Sequence, residues 1–147
     1  MDLPIRWSTA DLHDGNFKDL VEAEREYLGE YPSLIVVDVA QDLMRGEENV
    51  GNVRKVFRSL HNLARRTGAV VLALHHVKRG DAAGGSMFVR MEDGLYGGEQ
   101  IAEIVLTMWR AGPDKLAMYL AKNRQGPDGM TVNLHCDYAR AKVWSGR

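Results

Sequence analysis

Two short runs of continuous apolar residues constrain this chain more than anything else in it. Leu34-Ile35-Val36-Val37 leads into Asp38, and Ala69-Val70-Val71-Leu72-Ala73-Leu74 leads into His75-His76. Neither run alternates polar with apolar, which is the pattern of a parallel strand buried on both faces. Between them Val53, Val56, Phe57, Leu60, Leu63 and Ala64 recur at helical spacing, with Arg54, Lys55, Arg58, Arg65 and Arg66 at the other positions. Gly68 is placed to stop that helix, and Arg65 and Arg66 fall in its last turn, where cations favour the dipole. A strand, a helix and a second strand between Leu34 and Leu74 make a βαβ crossover, right-handed by default.

The flanking sequence extends this unit. Ile5-Arg6-Trp7 could form a short strand. Phe17, Leu20, Val21, Tyr27 and Leu28 share one face of a helix over 16–31, which Pro32 ends. Lys78 to Gly98 holds six glycines and few apolar anchors, so it reads as a long loop, of the kind that is usually functional or mobile. Strands are expected at Ile101–Trp109 and Leu116–Ala121, with turns at 111–114 and 125–129. Met130–Cys136 alternates and reads as a half-buried edge strand. The 147 residues suit one domain, and 45% hydrophobic content excludes wholesale disorder. One cysteine, Cys136, cannot form an internal disulfide, and no apolar run is long enough to cross a membrane. A cytoplasmic protein with no membrane partner is expected. The formal net charge is −1, yet residues 1–50 carry −8 and residues 51–90 carry +7. The basic middle is either an anion-binding stripe or a solvated helix face.

Several residues could carry chemistry. Asp38 lies at the carboxyl end of a hydrophobic strand, where open α/β sheets bind ligands. A carboxylate there suits an Mg²⁺ water shell, or else caps the following turn. His75 and His76 end the next strand; adjacent strand residues face opposite sides, so at most one shares a site with Asp38. Lys122 and Arg124 flank Asn123, and a spacing of two puts both cations on one face if the strand continues. Two cations side by side are costly alone and useful against phosphate. They could equally be solvated loop charges.

The order of these pieces resembles a known family. Asp38 is followed by Gln41-Asp42-Leu43-Met44, then by the basic helix and Val70-Val71-Leu72-Ala73-Leu74-His75-His76-Val77-Lys78-Arg79. Later come Gln100-Ile101-Ala102-Glu103-Ile104-Val105-Leu106 and Ala121-Lys122-Asn123-Arg124-Gln125-Gly126-Pro127-Asp128-Gly129. From Pro32 to Val143 this resembles the later part of a RecA-like ATPase domain of the DnaB replicative-helicase type, including phage relatives. The implied fold class is α/β: a mostly parallel RecA-like sheet with flanking helices and a C-terminal antiparallel hairpin, incomplete, in one partial domain over 1–147.

The resemblance implies roles by position. Asp38 corresponds to the Walker B acid that holds the Mg²⁺ water shell. His76 replaces the family's glutamine that senses the γ-phosphate. Lys122 and Arg124 correspond to cations that reach a neighbouring subunit's ATP, which requires a ring of subunits, hexamer-type in the family. The Lys78–Gly98 loop corresponds to the channel loop on single-stranded DNA, with Lys78, Arg79 and Arg90 neutralising phosphates. The helix arginines then decorate a solvated face.

The sequence also departs from the family. The motif G-x-x-x-x-G-K-[ST] occurs nowhere, and the chain contains no Gly-Lys pair. The family places that motif upstream of everything matched here, and usually its catalytic glutamate too; Asp11 and Asp14 are poor substitutes. The family's Walker A strand lies between the strand ending at His75 and that over 101–109. Without it, two strand edges lose their shared neighbour. The expectation is therefore the C-terminal portion of a longer protein, not competent in ATP hydrolysis alone. Two other functions remain open. Asp38, Asp42 and a rim histidine, with Glu99 or Asp93 added, could hold Mg²⁺ or Mn²⁺ in a DNA nuclease. A non-catalytic DNA-binding or co-assembling subunit is the third.

Overall fold

The structure is a computed structural model that describes residues 5–8, 14–47, 49–76 and 95–146. It divides into two compact units, residues 1–75 and 76–147.

The first unit is the βαβ crossover with one added helix. Helix α1 (Asp14–Leu28) precedes strand β1 (Leu34–Val37), a 3-10 turn (Ala40–Leu43), helix α2 (Val50–Thr67) and strand β2 (Val70–Ala73). The strands pair in parallel, Leu34 opposite Val70 through Val37 opposite Ala73. Backbone bonds carry the ladder past the strand ends: Leu74 N–H donates to Val37 O at 2.9 Å, and Ala40 N–H to Leu74 O at 2.8 Å. The core gathers Phe17 and Val21 of α1, Ile35 and Val37 of β1, Ala40 and Leu43 of the turn, and Val56, Leu60 and Leu63 of α2. Both helices therefore bury their apolar stripes against one sheet face.

Each end of α2 has a local cause. The Asn49 side chain accepts from Asn52 N–H at 2.9 Å, satisfying a donor that the first turn leaves open. Gly68 takes the left-handed conformation at φ 75° and donates to Ala64 O at 2.9 Å, as its place in the sequence predicts. Arg66 pairs with Glu22 of α1 at 3.0 Å, so one helix arginine ties the two helices instead of only meeting solvent.

Strands β1 and β2 are not buried on both faces. Ile35 and Val37 are buried, whereas Leu34 and Val36 are each 54% exposed and Val70 is 65% exposed. The continuous apolar runs do form strands, but this unit supplies helices to one face only, and burial alternates along β1.

The second unit is an antiparallel meander in the order β3-β4-β5-β6. It follows a 3-10 helix at Leu95–Gln100 and comprises β3 (Ile104–Gly112), β4 (Lys115–Asn123), β5 (Thr131–Asp137) and β6 (Lys142–Ser145). The reading as α/β holds, with different proportions: the antiparallel sheet has four strands and the parallel one two. The expected hairpin is thus the middle of a larger sheet. Strand β5 is not an edge, because β6 pairs with it from Leu134 opposite Ser145 to Asp137 opposite Lys142. The short Lys-Val-Trp-Ser stretch carries too little pattern to mark β6 beforehand. Residues Ile5 to Trp7 form no strand; Arg6 instead reaches Glu24 at 3.2 Å and lies over the Tyr27 ring.

Replacing Asn49 by alanine should cost about 1 kcal/mol by removing the α2 cap. Leu60→Ala should cost roughly 2–5 kcal/mol, because Leu60 is buried where the helices meet the sheet. Urea unfolding followed by circular dichroism measures both.

Candidate functional site

The turn that follows β4 is organised by Asn123. Its Nδ2 donates to Pro127 O at 3.1 Å, and its Oδ1 accepts from Gln125 N–H at 3.1 Å. One amide thus closes the Lys-Asn-Arg-Gln-Gly-Pro stretch on itself. Gly129 at φ 81° completes the return, donating to Leu120 O at 2.8 Å. A side chain at that φ is strained, which favours glycine. Sequence reasoning assigns Asn123 no role of its own; an Asn three residues before a Gly-Pro pair is the signal that could have found it.

This turn places the two cations. Arg124 lies one residue beyond β4, so strand alternation does not align it with Lys122. The two side chains nevertheless converge. Lys122 Nζ donates to Gln100 O at 3.0 Å and to Glu99 O at 3.2 Å. Arg124 Nη2 donates to the same Gln100 O at 3.2 Å, and Nη1 to Glu103 Oε1 at 3.1 Å. Arg124 N–H also donates to Glu103 O at 3.1 Å. The meeting point is the C-terminal end of the 3-10 helix Leu95–Gln100, where unpaired carbonyls attract cations.

The electrostatics agree with this crowding. Partial burial, and then the neighbouring Arg124 guanidinium, hold the Lys122 ammonium below the ordinary lysine value; Glu103 and Glu99 pull it part of the way back. Two like charges at one carbonyl oppose each other, and a multiply charged anion would relieve both.

The first unit carries the other candidates. Asp38 follows β1 directly and is exposed, and Asp42 is exposed on the adjoining 3-10 turn. Next to them, both amide atoms of Gln41 are shielded from solvent with no hydrogen-bond partner among the described residues. Buried polar groups in folded proteins nearly always find partners, so Gln41 joins Asp38 as a candidate that sequence reasoning passes over. His75 packs edge-on against Phe57 of α2, ring centroids 5.2 Å apart, which turns it toward the helix layer. Neither His75 nor His76 belongs to β2, which ends at Ala73. His76 is exposed and falls in the second unit.

An exposed carboxylate at a strand's carboxyl end is a suitable donor for an Mg²⁺ water shell. Among the described residues no group of three or more His, Cys, Asp or Glu side chains could hold a metal ion by itself. An acid that binds through metal waters needs no such cluster, because phosphate oxygens supply other ligands; a nuclease metal site built from Asp38 and Asp42 does need one. Lys78, Arg79 and Arg90, with Asp93 and most of the 78–98 loop, lie outside the described residues.

Comparison with known proteins bears on this geometry. A family model described as an AAA domain matches residues 3–82, more than half of the chain. The chain belongs to that family. The Gene 65 protein of Mycobacterium phage D29 is 34% identical over 151 residues, spanning 94% of this chain and 62% of the relative. The Gene 65 protein of Mycobacterium phage L5 is 33% identical over 135 residues, spanning 85% of this chain and 50% of the relative. The chain therefore covers between half and two thirds of the length of these phage proteins. Among solved structures, a DnaB-like replicative helicase described with its primase interactions superposes at a TM-score of 0.72 with 18% identity, over 96% of this chain and 36% of that one. A second solved structure, described as an ATPase domain, superposes at a TM-score of 0.70 with 19% identity, over 92% of this chain and 52% of that one. The fold is that of the RecA-like ATPase domain of DnaB-type helicases, as the order of motifs predicts. No helix among the described residues is long and apolar enough to cross a membrane.

Arg124→Gln should raise the Lys122 pKa only part of the way to 10.5, because burial, the larger cause, remains. A depressed folded-state pKa contributes stability above the unfolded value and loses it as pH falls through the folded value. Removing Arg124 should shrink that contribution. An NMR pH titration of the Lys122 Cε reads the shift.

Proposed function

We propose that this AAA-family chain contributes part of an ATP-driven, DNA-associated motor of the DnaB type. In this reading Lys122 and Arg124 bind the polyphosphate of a nucleotide held by a neighbouring subunit in a ring, hexamer-type as in the family. Asp38 holds the water shell of Mg²⁺, the ion that would neutralise charge on that polyphosphate. His76 senses the γ-phosphate. Lys78, Arg79 and Arg90 neutralise phosphates of single-stranded DNA. The observation that carries the proposal is the convergence of Lys122 and Arg124 on one carbonyl oxygen, Gln100 O, at 3.0 and 3.2 Å. Two cations held at one acceptor are placed to meet one multiply charged ligand together.

The same reading limits what this sequence does alone. It contains no Gly-Lys loop to cradle phosphates, so Asp38, Lys122 and Arg124 act on a nucleotide that other residues must hold. The passive-binder reading shares the DNA contacts but gives the cation pair no task. The nuclease reading gains no metal cluster among the described residues.

Single-stranded DNA binding by the purified chain, measured by fluorescence anisotropy across salt concentrations, tests the DNA part. Combined Lys78→Ala, Arg79→Ala and Arg90→Ala substitutions should weaken binding and lower the salt slope by about 2, at roughly 0.7 per lost phosphate contact. Unchanged affinity would remove the DNA assignment from these residues. ATP turnover by the chain alone, lost on Asp38→Ala, would contradict the division of labour.

A further inference from the structure

The two cations do not meet equivalent partners. Lys122 Nζ donates to two backbone carbonyl oxygens, at 3.2 and 3.0 Å, which take no net charge from it. Arg124 Nη1 faces a carboxylate, Glu103 Oε1, at 3.1 Å. Lys122 is thus held by carbonyls, with the Glu103 and Glu99 charges also acting on it, while Arg124 is paired directly with a carboxylate. A guanidinium that must engage phosphate cannot present the same N–H edge to a carboxylate at the same time.

Three features suit Glu103 to a temporary role. The backbone bond from Arg124 N–H to Glu103 O at 3.1 Å keeps the two residues side by side whatever their side chains do. The neighbouring register, Ile104 opposite Asn123, fixes that alignment from the sheet. The Arg124 and Glu103 side chains are 50% and 42% exposed, so the carboxylate can swing into water without burying a charge. A pair this exposed is weak, on the order of fivefold or less in equilibrium terms. When the carboxylate leaves, Gln100 O still holds both Lys122 Nζ and Arg124 Nη2. The cations therefore stay together while one N–H edge of Arg124 becomes free.

We propose that Glu103 is a displaceable occupant of the phosphate-binding edge of Arg124, holding the guanidinium in place until a polyphosphate competes it away. This rests on the reading of Lys122 and Arg124 as polyphosphate-binding cations. The exchange forms and breaks no covalent bond: one charge-assisted pair replaces another, and Glu103 becomes hydrated. The consequence is selectivity by charge. A chloride or a monoanionic carboxylate gains little over Glu103, whereas a polyphosphate that also reaches Lys122 gains a second contact.

The test titrates the full chain with inorganic tripolyphosphate at low salt, following the Arg124 Nε–H and Lys122 Cε resonances by NMR. Glu103→Gln keeps the size and a hydrogen-bonding oxygen but removes the charge. It should tighten binding about two- to fivefold. Glu103→Asp, which keeps the charge, should stay close to the unsubstituted chain. The gain from Glu103→Gln should vanish when Arg124 is already alanine. A gain that persists there is a general charge effect and overturns the proposal. Equal or weaker binding by Glu103→Gln also overturns it, and leaves the phosphate reading standing if Lys122→Ala still weakens binding. Absence of tripolyphosphate binding by every form overturns both.

Discussion

One carbonyl oxygen organises the candidate site: Gln100 O accepts from both Lys122 and Arg124. Cations repel, so bringing two to one acceptor requires other parts of the fold to hold them there. Asn123 closes the turn that aims Arg124, and the β3–β4 ladder brings the end of β4 beside Glu103. The 3-10 helix Leu95–Gln100 supplies the carbonyls. The result is a close pair of cations beside Glu103, and burial first, then the Arg124 guanidinium, lowers the Lys122 pKa.

The first unit is organised differently. Its stability comes from α1 and α2 closing over one face of β1 and β2, and the carboxyl end of that sheet carries Asp38 as an exposed acid. Asp38 and Arg124 lie just beyond strand ends, and Lys122 lies one residue inside the end of β4. In the function proposed above these positions divide one task, handling nucleotide phosphates, between an acid for the metal's water shell and cations for the phosphates.

Much of this is legible in the sequence, for physical reasons. The β-branched runs at 34–37 and 70–74 admit little besides strands, and the apolar spacing from Val53 to Ala64 admits little besides a helix. Gly68 marks the helix end because φ 75° is easiest for glycine. What stays hidden depends on contacts between distant residues. Burial of both faces of β1 cannot be read from its apolar run, because the run does not say how many layers pack on it. Strand β6 escapes notice because four residues hold too little periodicity. Spacing suggests that Lys122 and Arg124 act together, but the cause of their convergence is not strand alternation. Arg124 is past the strand, and convergence comes from Gln100 and Glu103, more than twenty positions away. No local pattern announces an acceptor at that separation.

The most direct measurement of the central claim is a double-mutant cycle on Lys122 and Arg124, read as affinity of the chain for inorganic tripolyphosphate by NMR titration at low salt. If the two cations bind one polyphosphate together, Lys122→Ala and Arg124→Ala should be non-additive, with a coupling of about 0.5 kcal/mol or more. Additive losses, or no loss from either substitution, would contradict a shared ligand and return both residues to the solvated surface.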